Sequence, residues 1–288
     1  MSFSTYSDLL RSPDYFGRLL AHFNRKYGQT ACSAVTPSAP PGITHAQYAR
    51  LMARFAPKKK EPHYEDLIKS YYKIGAGTPS GSRVTSGHVS TLISNRTHID
   101  DVYESLRKEF GMGMRGGKLV PPDDFFRSLQ TNKNDLVKAS TYRMDGISPS
   151  AAPDQMFELL RALFHGLQVV PSTQNTRLVA VSKALHFLLP DLVMPIDSKV
   201  LRFFRKKGDI PPEPQKQFDW FTEILGKYLE ITAALGLKQV NGDGKWWNWS
   251  VPKRVDNAIM GFWDLFSDDN IERIVCGHID TLLHYLKA

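Results

Sequence analysis

The chain has 288 residues, of which 42% are hydrophobic, so it can bury the core of one large domain or of two modest ones. Its 37 Lys and Arg against 29 Asp and Glu give a formal net charge of +8, which favours polyanionic partners such as nucleic acid. The two cysteines lack metal-ligand spacing, and no stretch approaches the roughly 20 apolar residues that cross a bilayer. Composition therefore argues against a disulfide framework and a membrane-spanning chain, and we expect a cytoplasmic protein.

The pattern in the first half predicts helices separated by loops. Apolar residues recur every three or four positions between Tyr6 and Tyr27, and Pro13 interrupts them where a second helix should start. The composition then predicts a proline-rich linker at residues 30–42 and a helix at residues 44–55. Two glycine-rich loops should follow, at residues 75–87 and 111–118, and the second loop is a candidate to track a DNA backbone. A small β element also fits this half.

The second half is a more regular series of amphipathic helices. Their apolar stripes predict helices that begin at Asp154 and near Val179, Ser198, Gln217, Lys253 and Ile271. Few alternating strand patterns occur, so the fold class should be mostly α. A boundary near residues 148–153 divides the chain into an N-terminal helical and loop-rich region, residues 1–150, which contributes DNA contacts, and a helical core, residues 151–288.

The segment between Val181 and Val200 holds the residues that we expect to carry the chemistry. A helix that opens at Ser182 or Lys183 should end before a proline, since the residue preceding proline avoids the α conformation. Asp197 then stands where the N-cap of the next helix belongs. Capping alone is a sufficient reason for an Asp at this position, and the same carboxylate can also serve catalysis.

This segment resembles the core of the helix-hairpin-helix DNA glycosylase superfamily. Lys183-Ala184 matches the lysine at a helix start in that family, and Pro195-Ile196-Asp197-Ser198-Lys199-Val200 matches the segment that carries its Asp. The chain is also similar to a divergent bacterial glycosylase-like branch, which has a counterpart of Pro252-Lys253-Arg254-Val255-Asp256-Asn257-Ala258. A further resemblance is to phage-defence glycosylases that act on glucosylated hydroxymethylcytosine.

The resemblance implies a two-lobed helical DNA glycosylase, which cleaves the N-glycosidic bond of a modified or damaged base flipped out of double-stranded DNA. It implies that Asp197 stabilises the oxocarbenium-like deoxyribose and activates the nucleophile. Lys183 is then either the amine nucleophile, which permits strand cleavage, or a phosphate contact beside the lesion with water as the nucleophile. No metal ion and no other cofactor is expected, because the histidines are scattered and four clustered cysteines are missing.

A glycosylase also needs a pocket for the extruded base and contacts to the DNA backbone. The candidate residues are Ser182, His186 and Lys199 around the motif, Gln174, Asn175 and Arg177 in the polar run before it, and Lys245, Trp246, Trp247 and Asn248 in a tryptophan-rich turn. Each group has an ordinary structural interpretation as core residues, as a hydrophilic loop or as a corner of the core.

Two other functions stay open. The Gly-x-Gly turn that precedes the lysine in the glycosylases is replaced by Ala180-Val181-Ser182, and the lysine lies only 14 residues (197 minus 183) before the aspartate. A non-catalytic nucleic-acid-binding module with a degenerate glycosylase core accounts for both departures. A helical protein-interaction or toxin-type domain, whose positive charge serves solubility, is the third candidate.

Overall fold

The structure is a computed structural model that describes residues 6–28, 89–90, 93–113, 118–171, 176–205, 210–238 and 250–266. These residues contain ten α-helices and no strand, which confirms the mostly α fold class. The small β element predicted for the first half does not occur in the part of that half which the structure describes. The linker, helix and loop predicted between residues 30 and 87, and the helix predicted from Ile271, lie outside the described residues.

The described helices are connected mostly by short segments. They are α1 (Tyr6–Leu10), α2 (Pro13–Gly28), α3 (Arg96–Gly113), α4 (Pro122–Thr131), α5 (Lys133–Ala139), α6 (Asp154–Gly166), α7 (Arg177–Leu188), α8 (Ser198–Arg205), α9 (Pro214–Ala234) and α10 (Val251–Phe266). Two single turns of 3-10 helix, Met144–Gly146 and Pro149–Ala151, join α5 to α6. The helix starts predicted at Pro13, Asp154 and Ser198 are confirmed.

Two predicted local structures are wrong. The composition predicts a loop that begins at Gly111, but Gly111–Gly113 continue α3, since a helix tolerates glycine at a cost of about 1 kcal/mol per residue. The motif places the start of α7 at Ser182 or Lys183, whereas the helix begins at Arg177, close to the start near Val179 that the apolar stripe predicts. The residues before Ser182 are buried, and this burial extends the helix beyond the motif.

The core is organised around α9, the longest of the described helices at 21 residues. This helix contacts α1, α6, α7 and α10. Its inner face carries large side chains that are at most 2% exposed, namely Phe218, Phe221, Ile224, Leu225, Tyr228, Leu229 and Ile231. Burial of each apolar side chain of this size contributes about 1.5–3 kcal/mol, so α9 is a rigid support for the helices around it.

Helix α10 lies against α2 and also contacts α8 and α9. Gly261 permits the close approach of α10 to α2, because a Cβ at this position would overlap the backbone carbonyl oxygen of Leu19. These contacts tie the first described helices to the last one. They also bring α10 next to α8, whose first turn follows Asp197.

Candidate active site

Asp197 is the N-cap of α8, as the sequence predicts. Its Oδ1 accepts hydrogen bonds from the backbone N–H groups of Lys199 (2.8 Å) and Val200 (2.9 Å). Asp197 is half-buried. Both cap hydrogen bonds go to Oδ1, so the cap fixes the orientation of the carboxylate without using Oδ2.

Ser182 of α7 holds the backbone immediately before Asp197. Its hydroxyl donates a hydrogen bond to the Val179 carbonyl (3.0 Å) and accepts one from the Ile196 N–H (3.0 Å). Ser182 is fully buried. These contacts are to the protein's own backbone, so the structure gives Ser182 the task of positioning Asp197, and its contact with DNA stays a prediction.

His186 supports the same connection one turn further along α7. Its Nδ1 lies 2.7 Å from the Val193 carbonyl oxygen, which can only accept, so Nδ1 carries the proton. Burial lowers the pKa of His186 to about 3, and the Lys253 ammonium acts in the same direction. The imidazole is therefore neutral at pH 7, and the predicted DNA contact of His186 remains untested.

Helix α10 adds an ion pair that is almost buried. The Trp263 indole N–H donates to the Lys199 carbonyl (2.9 Å) and fastens α10 to the first turn of α8. About two to three turns earlier on α10, Lys253 Nζ lies 2.5 Å from Asp256 Oδ2. The Lys253 and Asp256 side chains are only 15% and 7% exposed. A carboxylate and an ammonium thus lie on the helix that packs against the Asp197 cap.

Asp256 is electrostatically coupled to both predicted catalytic residues. Burial raises the pKa of Asp256, the Lys253 ammonium opposes this shift, and the Asp197 carboxylate adds to it. Lys183 also lowers the pKa of Asp256, so its half-buried side chain acts on the same carboxyl. Lys183 lies near the middle of α7, which corrects the helix-start position implied by the resemblance.

Tyr228 of α9 faces these carboxyls from the centre of the core. Its side chain is fully buried, and no described residue forms a hydrogen bond with its hydroxyl. Burial raises the pKa of Tyr228 well above its ordinary value, and the Asp256 and Asp197 charges raise it further. The phenol is therefore neutral. We refer to Lys183, Asp197, Tyr228, Lys253 and Asp256 as the polar cluster.

Arg177, a predicted DNA contact, is engaged within the protein. Its guanidinium donates to the carbonyl oxygens of Phe164, His165 and Leu167 at 2.6–3.0 Å. These carbonyls belong to the last turn and the C-cap of α6, where a helix has no N–H donors of its own to satisfy them. Arg177 therefore fixes the start of α7 to the end of α6, and a DNA contact by Arg177 stays a prediction.

Of the remaining predicted site residues, the structure describes only Lys199. Lys199 is half-buried, and its backbone joins the Asp197 cap to Trp263. The others lie outside the described residues, namely Gln174, Asn175, Lys245, Trp246, Trp247 and Asn248.

The sequence contains a local signal for part of the polar cluster. Lys253 and Asp256 are three residues apart, a spacing that places them together on one helix face. The motif match includes both residues but assigns them no role. Tyr228 stands in an apolar stripe, where a tyrosine resembles any other core aromatic, so no pattern in the sequence singles it out.

The described residues include no group of three or more His, Cys, Asp or Glu side chains able to hold a metal ion. A depression of about 540 Å³ lies beside the 3-10 turns, lined by residues such as Tyr142, Arg143 and Ile147, and includes no predicted site residue. In the described part of the chain, no helix has both the length and the apolarity of a membrane span.

Comparison with known proteins identifies no relative, since no family matches the chain and neither a curated protein nor a solved structure is detectably similar to it.

Proposed function

We propose that the chain is a DNA glycosylase that cleaves the N-glycosidic bond of a modified or damaged base. The observation that carries this proposal is the Asp197 carboxylate, which is fixed by its helix cap, half-buried and coupled to a second carboxyl with two lysines beside it. The net charge of +8 suits a DNA partner. The motifs that resemble those of the helix-hairpin-helix glycosylases add the reaction class.

The chemistry explains why a fixed carboxylate is useful here. As an N-glycosidic bond breaks, positive charge develops on the deoxyribose, and a nearby carboxylate stabilises that charge. Because the carboxylate is already oriented, the protein does not have to reorganise as the bond breaks. In this proposal, Asp197 Oδ2 faces the sugar or the attacking nucleophile, while Oδ1 stays in the cap.

The proposal has two forms, which differ in the nucleophile that attacks the sugar. In one form, Lys183 attacks C1′ as a neutral amine, the base leaves with the electron pair of the N-glycosidic bond, and the sugar ring opens to a Schiff base that permits strand cleavage. In the other, water attacks C1′, the base leaves in the same way and Lys183 binds phosphate. Borohydride trapping of the protein on substrate DNA distinguishes the two forms.

Base release from a panel of modified duplex DNAs, including bulky modified cytosines, tests the function. Asp197→Asn is the informative variant, because Asn is also a good N-cap and the substitution removes mainly the charge. We expect it to lower release at least about 100-fold while the free energy of unfolding changes by less than about 1 kcal/mol. Asp154→Asn, at an exposed first-turn position of α6, is the charge-matched control. No release by the wild-type protein on any substrate argues against the proposal.

A second function, a non-catalytic nucleic-acid-binding module, is favoured by one observation. Lys183 lies in the middle of α7, away from the helix start that the catalytic lysine occupies in the resembling family. This function predicts tight, salt-sensitive DNA binding without base release. Release that depends on Asp197 excludes it, whereas the absence of DNA binding at low salt favours a protein-interaction or toxin-type domain.

A further inference from the structure

The ion pair between Lys253 and Asp256 lies in an unusual place for a pair on one helix. Most pairs spaced by three residues are solvent-exposed and contribute little to stability, as with Glu213 and Lys216, whose side chains are 53% and 64% exposed. Asp256 and Lys253 are 7% and 15% exposed, and removing two such charges from water costs several kcal/mol per ion. A pair that stabilised only the fold would be replaced at lower cost by apolar side chains.

The surroundings of this pair point towards Asp197. Helix α10, which carries the pair, is attached through Trp263 to the Lys199 carbonyl in the first turn of α8. The Asp197 carboxylate caps that same turn. The helix that provides Asp256 is therefore fastened to the backbone that orients Asp197.

We propose, on the basis of the glycosylase function proposed above, that Asp256 is a positioning residue of the Asp197 site. Its buried carboxylate binds the Lys253 ammonium and, through its charge, attracts the Lys183 side chain. Asp256 itself is too deeply buried to contact DNA, so it acts through these neighbours.

The charges around Asp256 determine the sign of the effect. Lys253 acts on Asp256 from its own helix, Lys183 from α7 and Asp197 from the start of α8. Tyr228 faces it from α9 as a neutral phenol. Helix α2 and the turn Met144–Gly146 also pack on α10, but no described residue of either one shifts the pKa of Asp256.

Replacing Asp256 with Asn leaves the Lys253 ammonium buried without its carboxylate and removes the negative charge that acts on Lys183. The two lysines then lose the charge that orients them, so base release at pH 7 should fall by about 10- to 100-fold. Replacing Asp197 instead removes a carboxylate that raises the pKa of Asp256, so the pKa of Asp256 should fall.

The first experiment needs no catalytic activity. Carbon-13 NMR of labelled Asp carboxyl groups in the full chain gives the titration midpoint of Asp256. We expect Asp197→Asn to lower this midpoint by at least about 0.5 pH unit. Asn also caps helices, so this variant keeps the α8 cap and tests the coupling even if Asp256→Asn fails to fold. Glu213→Gln removes an exposed carboxylate from an ion pair of the same spacing and should not move the midpoint.

The second experiment measures base release at pH 7 and the free energy of unfolding for Asp256→Asn and Glu213→Gln. Release that falls in the folded Asp256→Asn variant but not in Glu213→Gln, together with a lower Asp256 midpoint in Asp197→Asn, supports the positioning role. An Asp256 midpoint that does not respond to Asp197→Asn means that the pair is only structural and overturns the proposal. If no protein releases any base, the proposed function fails, while the NMR midpoint still decides whether Asp197 acts on Asp256.

Discussion

The Ser182 hydroxyl accepts a hydrogen bond from the Ile196 backbone N–H, 3.0 Å away, and so connects the middle of α7 to the residue before Asp197. Without this contact, the N–H group would be buried and unsatisfied, which costs about 1–3 kcal/mol. The orientation of the α8 cap therefore depends on a side chain 14 residues earlier in the chain.

Ser182→Ala should lower the free energy of unfolding by about 1–3 kcal/mol and should also reduce base release, because the Asp197 carboxylate loses its fixed position. Urea denaturation and base-release kinetics measure the two effects. Ser150→Ala, at an exposed serine, is the control and should change stability by less than about 0.5 kcal/mol. Unchanged stability in Ser182→Ala would show that the Ile196 N–H finds another acceptor.

His186 predicts how the stability of the fold depends on pH. Its pKa is about 3 in the folded protein and 6.5 in its ordinary environment, so between these values the unfolded chain binds the extra proton. The stability is complete above about pH 6.5 and is lost as the pH falls towards 3. The loss is about 1.4 kcal/mol per pH unit, which gives roughly 2 kcal/mol at pH 5.

His186→Asn removes this titration and keeps an N–H donor for the Val193 carbonyl. We expect the free energy of unfolding of this variant to depend less on pH between 7 and 5 than that of the wild type, as measured by urea denaturation at each pH. His165→Gln, on the exposed side of α6, serves as the comparison and should flatten the curve much less. Equal slopes for the wild type and His186→Asn would contradict a neutral, buried imidazole.

The features that the sequence predicts well are those with a local cause. The helices that start at Pro13 and Asp154 have complete apolar stripes and clear start signals, and the Asp197 cap bonds only to residues two and three positions further on. Each of these interactions is contained within a few residues of sequence. Local patterns are therefore sufficient for the fold class and for the one residue on which the proposed function depends.

The features that the sequence did not predict depend on packing between distant segments. Arg177 begins α7 by bonding to carbonyls 10 to 13 residues earlier, and no helix-start signal includes such bonds. The coupling of Asp256 to Asp197 joins residues 59 positions apart (256 minus 197) and exists only because α10 packs on α8. The burial of Tyr228 beside these carboxyls likewise follows from the position of α9.

The Arg177 contacts predict that lysine cannot replace this arginine. A guanidinium presents several N–H donors in a fixed plane, whereas an ammonium cannot reach three carbonyls in this geometry. Arg177→Lys should lower the free energy of unfolding by about 1–3 kcal/mol, because it leaves carbonyls at the end of α6 without a donor. Arg161→Lys, at an exposed position on α6, is the matched control.

The same position tests the predicted DNA contact of Arg177 independently of stability. Arg177→Gln removes the charge, and the salt dependence of DNA binding by the folded variant counts the phosphate contacts. A salt slope reduced by about one indicates that Arg177 also binds phosphate, whereas an unchanged slope limits it to the α6–α7 junction.

Two glycines inside helices should respond to alanine in opposite directions. A Cβ on Gly261 of α10 would overlap the Leu19 carbonyl oxygen of α2, and a backbone atom cannot rotate away as a flexible side chain can. A Cβ on Gly226 of α9 meets no atom within 4 Å. Gly261→Ala should therefore lower the free energy of unfolding by about 1–3 kcal/mol, because α2 and α10 must move apart.

Gly226→Ala should instead raise the free energy of unfolding by about 0.5–1 kcal/mol, since alanine loses less conformational entropy in a helix. Urea denaturation of the two variants beside the wild type measures both changes. Both variants replace glycine with alanine, so the change in helix propensity is the same in each. The difference between their free energies of unfolding therefore reports the close contact of α2 with α10. Equal stability of Gly261→Ala and Gly226→Ala would contradict the close packing of α2 against α10. It would then also contradict the conclusion that α2 supports α10, the helix that carries Asp256.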